Sequence, residues 1–155
     1  MKKTIKLLLL CLTVFVVTSN VAAETKAFQA SLFPSIAIYD SSQKIEGVTL
    51  SIWGENPQES LALGFVNGMT EDSVGASLAF FVNYADRYKG AQFGMVNVNN
   101  GLRGVQFGFF NFTHNAKAAV QLGFINVIGE NTEWFKNFPN ELAPVMIFVN
   151  WRIVD

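Results

Sequence analysis

Between Leu61 and Ile128 apolar and polar residues alternate in short blocks, and one block returns five times: "LALGFVN" (61–67), "ASLAFFVN" (76–83), "AQFGMVN" (91–97), "VQFGFFN" (105–111) and "VQLGFIN" (120–126). The shared pattern is Gly-x-Gln-x-Gly-x-x-Asn, with Gln92, Gln106 and Gln121 filling the Gln position in the last three copies. The central small residues Gly64, Ala79, Gly94, Gly108 and Gly123 are spaced 15, 15, 14 and 15 apart; Asn67, Asn83, Asn97, Asn111 and Asn126 are spaced 16, 14, 14 and 15 apart. Such self-similarity at a fixed short period predicts stacked repeats. Val105, Phe107 and Phe109 alternate with Gln106 and Gly108, the period-2 signature of a strand, and a Gly in the middle of a copy disfavours a helix. The second copy carries one extra residue between Ala79 and Asn83, which predicts a β-bulge. Pro34, Pro57, Pro139 and Pro144 all lie outside 61–128, as expected where backbone N–H groups are committed to ladders.

The fold class is therefore all-β, with a short repeat of 14–16 residues, and two architectures suit it. In a parallel β-solenoid each copy is one coil, like residues stack about 4.8 Å apart, and Asn or Gln can form continuous amide ladders. In an antiparallel eight-stranded β-barrel, segments 28–39, 45–53, the five copies and 145–151 supply the strands. Identical letters in every strand favour the solenoid, since a meander has no use for Asn at alternating ends. Asn100-Gly101 speaks for the barrel, being a strong hairpin signal. The links "GMTEDSVG", "YADRYKG", "VNNGLRG" and "THNAKAA" read as turns. Val, Leu and Phe beside the central Gly are expected to fill the interior. The flanks 24–60 and 129–155 depart from the repeat and read as cap strands of the same domain.

Ahead of this domain, Lys2, Lys3 and Lys6 precede an apolar run from Leu7 to Val17 and then Val21-Ala22-Ala23. This is the arrangement of a secretory signal peptide spanning 1–23, cleaved after Ala23. The run is shorter than the ~20 residues of a membrane-spanning helix. Cys11, the only cysteine, lies within it; Leu10 stands where lipoprotein processing wants a small residue, which argues against lipid attachment. Cleavage leaves 132 residues with eight basic and twelve acidic side chains, a net charge of −4. Scattered charge of that sign excludes a nucleic-acid binder, which needs a clustered basic footprint.

The search for chemistry gives little. His114, the sole histidine, sits in a link without the partners a base or metal ligand needs. Glu71-Asp72 and Glu130/Glu133 read as solvated charge, although a glycosidase would need two such acids across one cleft. "GLRG" lacks the Lys-Ser or Lys-Thr of a phosphate loop, and "NFT" (111–113) matches a glycosylation acceptor only by letters. No catalytic residue, metal site or cofactor is expected. Tyr84, Arg87, Tyr88 and Lys89 form the one candidate interaction surface, an aromatic and basic rim for a sugar or peptide.

The repeat, with "SLFPSIAIY" and "GVTLSIWGENP" before it and "FPNELAPVMIFVNWR" after it, resembles the bacterial surface-repeat-containing envelope proteins. The resemblance implies an exported protein of the periplasm, outer membrane or cell surface and brings no catalytic residues. Such proteins tend to stop at an aromatic soon after the Asn-Trp pair seen here as Asn150-Trp151; this chain continues through Ile153, which counts against a barrel. The expected function is a non-enzymatic envelope scaffold that contacts an envelope polymer or protein. A small outer-membrane barrel with Val, Phe and Met facing lipid is the second expectation, and a carbohydrate-active solenoid enzyme the third.

Overall fold

The computed structural model describes residues 26–154, where every regular element is a strand. The proposed signal segment and Cys11 lie outside the described residues. β1 (Lys26–Phe33), β2 (Ile36–Ala37), β3 (Ile45–Glu55), β4 (Gln58–Phe93), β5 (Val96–Ile128) and β6 (Val145–Ile153) form one sheet in the order β2-β1-β3-β4-β5-β6. The pairs β1/β3, β3/β4 and β4/β5 are parallel, and only the end pairs β1/β2 and β5/β6 are antiparallel. At 36 and 33 residues, β4 and β5 far exceed an ordinary strand of ~5–6 residues, because each winds round successive coils and stacks on itself. The chain is a parallel β-solenoid of about four turns, not a barrel.

Two expectations about the links fail here. Tyr84 to Ala85 pairs with Val98 to Asn99, and Arg87 to Gly90 pairs with Gly101 to Gly104, so "YADRYKG" and "VNNGLRG" are strands of the next face of the coil. Asn100-Gly101 makes no hairpin; it continues in extended register above Asp86-Arg87. The coils turn instead at a column of glycines. Gly75, Gly90 and Gly104 have φ of 131°, 139° and 139°, and a Cβ at Gly104 would overlap the carbonyl oxygen of Gly90 on the coil beneath. That backbone region is essentially closed to residues with a side chain. Ser60 occupies the same corner one coil earlier at φ 107°.

Strand alternation sends Gln and the central Gly inward, and a break in the alternation two residues after the Gly turns Asn inward as well. Gln121 Nε2 donates to Gln106 Oε1 at 2.9 Å, and Gln106 Nε2 to Gln92 Oε1 at 3.1 Å. Asn83, Asn97, Asn111 and Asn126 are linked by three amide hydrogen bonds of 2.8 Å each. The step from Asn67 to Asn83 stretches to 3.4 Å where the second copy has its extra residue, and the Ser77 hydroxyl fills the gap: it accepts from Asn67 Nδ2 at 3.0 Å and donates to Asn83 Oδ1 at 2.6 Å. The extra residue is taken up on the outside, where Phe80 and Phe81 are exposed in succession.

The interior is thus predominantly polar. Among the described residues twenty polar or charged side chains are buried against twelve apolar ones, and the apolar cluster is small: Met69, Ala85, Tyr88, Leu102, Ala116, Ala119 and Ile128. This reverses the expectation that Val, Leu and Phe fill the coil. Residues at one parity cannot share a side with Gln and Gly at the other, and the central Gly packs too closely for anything larger. A Cβ at Gly108 would overlap Gly94 O and lie 2.6 Å from Asn97 Nδ2. At the C-terminal end β6 closes the stack, and Arg152 Nη1 meets the largely buried Glu141 carboxylate at 2.6 Å.

Candidate interaction face

With the polar parity inside, the apolar parity covers one outer face of the sheet. Registers align three outward columns across the coils: Val48, Leu61, Ala76, Ala91, Val105 and Val120; then Leu50, Leu63, Leu78, Phe93, Phe107 and Leu122; then Ile52, Phe65, Phe80, Met95, Phe109 and Phe124. β1 extends the columns at one end with Phe28, Ala30 and Leu32, and β6 at the other with Trp151, Val149 and Ile147. No charged residue interrupts the eight rows. Many of these side chains are open to solvent, with Phe80 at 64%, Phe109 at 59% and Met95 at 54%. Rings stack along the solenoid axis: Phe93 on Phe107 at 4.8 Å and 2°, Phe109 on Phe124 at 5.0 Å and 14°.

Its size decides its meaning. Eight rows at ~4.8 Å and six residues per row at ~3.3 Å give a plan area of roughly 760 Å². The largest apolar patch on a typical monomer is about 300–600 Å², and an area beyond that marks a contact surface.

A column of charge runs along the flank beyond the glycine corner. One residue before the corner, successive coils place Glu46, Glu59, Val74, Lys89 and Arg103 in a column beside the apolar face. Lys44 Nζ lies 2.9 Å from Glu59 and 3.5 Å from Glu46, and the bond to Glu59 raises the Lys44 pKa. Among the described residues no carboxylate pairs with Lys89 or Arg103.

Of the four residues expected to form an aromatic and basic rim, Arg87, Tyr88 and Lys89 line one cavity together with Arg103 and Lys117, and Tyr84 lies apart from them. Tyr84 leans the other way: its hydroxyl accepts from Trp53 Nε1 at 3.0 Å and donates to Glu55 at 3.1 Å, and burial raises its pKa. Tyr88 points inward and is 3% exposed, because it has the inner parity of its strand, and burial pushes its hydroxyl pKa up. Arg87 is engaged by Asp72 through Nη2 to Oδ2 at 3.0 Å, which holds the Asp72 carboxyl below the usual range. Only Lys89 remains exposed without an ion pair. His114 lies at the surface, and among the described residues no group of His, Cys, Asp and Glu is placed to hold a metal ion.

Comparison with protein-family models, with curated proteins and with solved structures finds no match. Whatever the chain does has to be read from its own surface. The dominant feature of that surface, the apolar face, was misassigned to the interior in the sequence. Its signal was nevertheless present: Gln106, Gly108 and their counterparts alternate with Val and Phe, so burying the amides exposes the rings.

Proposed function

We propose that this protein is a non-enzymatic, exported cell-envelope scaffold that acts through the flat apolar face of its solenoid. The uninterrupted apolar surface of eight rows carries the proposal: its side chains offer contact area and shape but almost no hydrogen-bonding groups, as a docking surface does and a catalytic cleft does not. Export is supported by Lys2, Lys3 and Lys6 ahead of the Leu7 to Val17 run and by the small residues ending at Ala23. The resemblance to the surface-repeat-containing envelope proteins points to the same compartment. A barrel is not supported, because the strands stack in parallel coils with a filled polar interior.

The test is to express the full chain in a diderm bacterium, fractionate the cells and determine the N-terminus of the folded product. A chain in the envelope fraction that begins at Glu24 is expected; a chain that stays in the cytoplasm with residues 1–23 attached would refute export. Phe93→Ser, Phe107→Ser and Phe109→Ser together should leave the circular dichroism spectrum unchanged and abolish association of the protein with itself or with envelope material. Unaltered association would refute the role of the face.

A further inference from the structure

The apolar face calls for a partner that is itself flat and apolar. The charge column at its margin indicates which. Reading along the solenoid, the residues before the corner are Lys26, Glu46, Glu59, Val74, Lys89, Arg103 and Ala118, in which the central five place two acids and two cations symmetrically about Val74 and the outer pair sets Lys26 against the uncharged Ala118. A half-turn about the strand direction through the Val74 coil reverses the solenoid axis, turns the face over and maps the central five onto themselves. It sets Glu59 against the partner's Lys89 and Glu46 against the partner's Arg103, and the reciprocal pairs follow. Lys44 already sits between the two glutamates, so each contact opposes a net charge of −1 and one of +2.

We propose that the apolar face is the interface of a two-fold homodimer in which two solenoids lie face to face with antiparallel axes. This rests on the reading above that the face is a docking surface. The half-turn lays row 76–80 on its own counterpart, 61–65 on 91–95, 48–52 on 105–109 and 28–32 on 120–124; only the β6 row overhangs. Strands of the two sheets then run in line, within the range of aligned sheet packing at about 10 Å. Seven overlapping rows cover roughly 670 Å² in plan at ~4.8 Å per row and ~3.3 Å per residue, before the relief of the side chains is counted. A standard stable interface takes about 800 Å² of accessible surface from each partner. A two-fold interface needs a patch that complements itself, and this one does so in both shape and charge. The apolar rows provide the attachment, while the rim charges fix the direction, since rim pairs set orientation and association rate more than affinity.

The experiment uses the full chain with Cys11→Ser, exported by a bacterial host and purified without detergent. Sedimentation velocity should show a species of twice the chain's mass. With Val74→Cys added, a short bismaleimide should join the two copies, because the axis passes through this position. With Glu46→Cys instead it should not, because the two copies of that position lie about four coils, or ~19 Å, apart. Lys89→Glu with Arg103→Glu should weaken dimerisation tenfold or more, and adding Glu46→Lys with Glu59→Lys should restore it to within threefold. All four are exposed or half-exposed positions, and circular dichroism checks that each variant folds. Equal cross-linking at 74 and 46, or failure of the fourfold variant to recover, would overturn the antiparallel pairing. A monomer that binds phosphatidylcholine vesicles would overturn the dimer and leave the docking-surface reading standing; a folded monomer that binds neither itself nor vesicles would overturn both.

Discussion

Removing one amide from the middle of the Asn ladder should cost more than removing one from its end. Asn97 accepts from Asn83 Nδ2 at 2.8 Å, donates to Asn111 Oδ1 at 2.8 Å and donates to Phe107 O at 2.9 Å. The other donor of Asn83 is held by Phe93 O at 2.9 Å and cannot substitute. Asn97→Ala therefore leaves two buried side-chain groups without partners, one donor on Asn83 and one acceptor on Asn111. At about 1–3 kcal/mol for each stranded group, the loss is roughly 2–6 kcal/mol. Asn126 receives from Asn111 alone among the ladder residues, so Asn126→Ala strands one such group and should cost about 1–3 kcal/mol. Asn100 is exposed, its one side-chain bond running to Asp86 at 3.3 Å, and Asn100→Ala should fall within about 0.5 kcal/mol of the parent. Urea unfolding followed by far-ultraviolet circular dichroism measures all three. The reasoning is refuted if Asn97→Ala costs less than about 0.5 kcal/mol or no more than Asn126→Ala.

Ser77→Ala breaks the bridge between Asn67 and Asn83 and leaves Asn83 Oδ1 only the 3.4 Å bond from Asn67, so the same assay should show a loss of about 0.5–1.5 kcal/mol, the net worth of one hydrogen bond. Gly104→Ala, at φ 139° with no room for a methyl group, should prevent stable folding, whereas Gly101→Ala meets nothing nearer than Arg87 Cγ at 3.4 Å and should be tolerated or stabilise by about 0.4–1 kcal/mol; soluble yield and thermal melts separate the two. Ser60→Gly should stabilise by about 1 kcal/mol in the same melts, because it relieves the φ of 107° at that corner. Burial raises the Tyr88 pKa above its ordinary 10.0, so the native state holds that proton more tightly than the unfolded chain. Its effect on stability is constant below pH 10 and unfavourable as the pH rises beyond it, and Tyr88→Phe should flatten the fall in urea midpoint between pH 9 and 11.

The repeat spacing disclosed the fold because a solenoid coil imposes on each turn what it imposed on the last. Asn83, Asn97, Asn111 and Asn126 recur since each must meet the next, and the irregular step at Ala79 to Asn83 is visible both as an extra letter and as a longer hydrogen bond. Local turn chemistry misled for a related reason. Asn100-Gly101 carries a hairpin preference that is worth little against pairing with Asp86-Arg87 on the coil beneath, so tertiary register overrides it. The placement of Tyr88 turned on parity. Two residues separate it from Ala85, another inward position, but the strand bends between them at Asp86 and Arg87, both exposed, and no composition rule marks that bend. The habit of placing Phe inside failed because it takes no account of how little space the coil encloses.

That narrowness makes the apolar face a matter of function rather than of folding. Where a Cβ at Gly108 would strike the backbone of the coil below, a column of phenyl rings has no room, so the opposite parity was never available to Phe107 or Phe109. The fold itself asks of the outer positions only that they suit a pleated strand, and Thr, Gln or Lys on the outside would serve it while keeping the surface wet. A surface under no demand but folding would be expected to mix such residues in, yet all three columns remain apolar through eight rows, while charge resumes one residue past the glycine corner. Folding accounts for the amides within. The rings without are accounted for by something that covers them, and the symmetric order of Glu46, Glu59, Val74, Lys89 and Arg103 along the margin matches a second copy turned end for end.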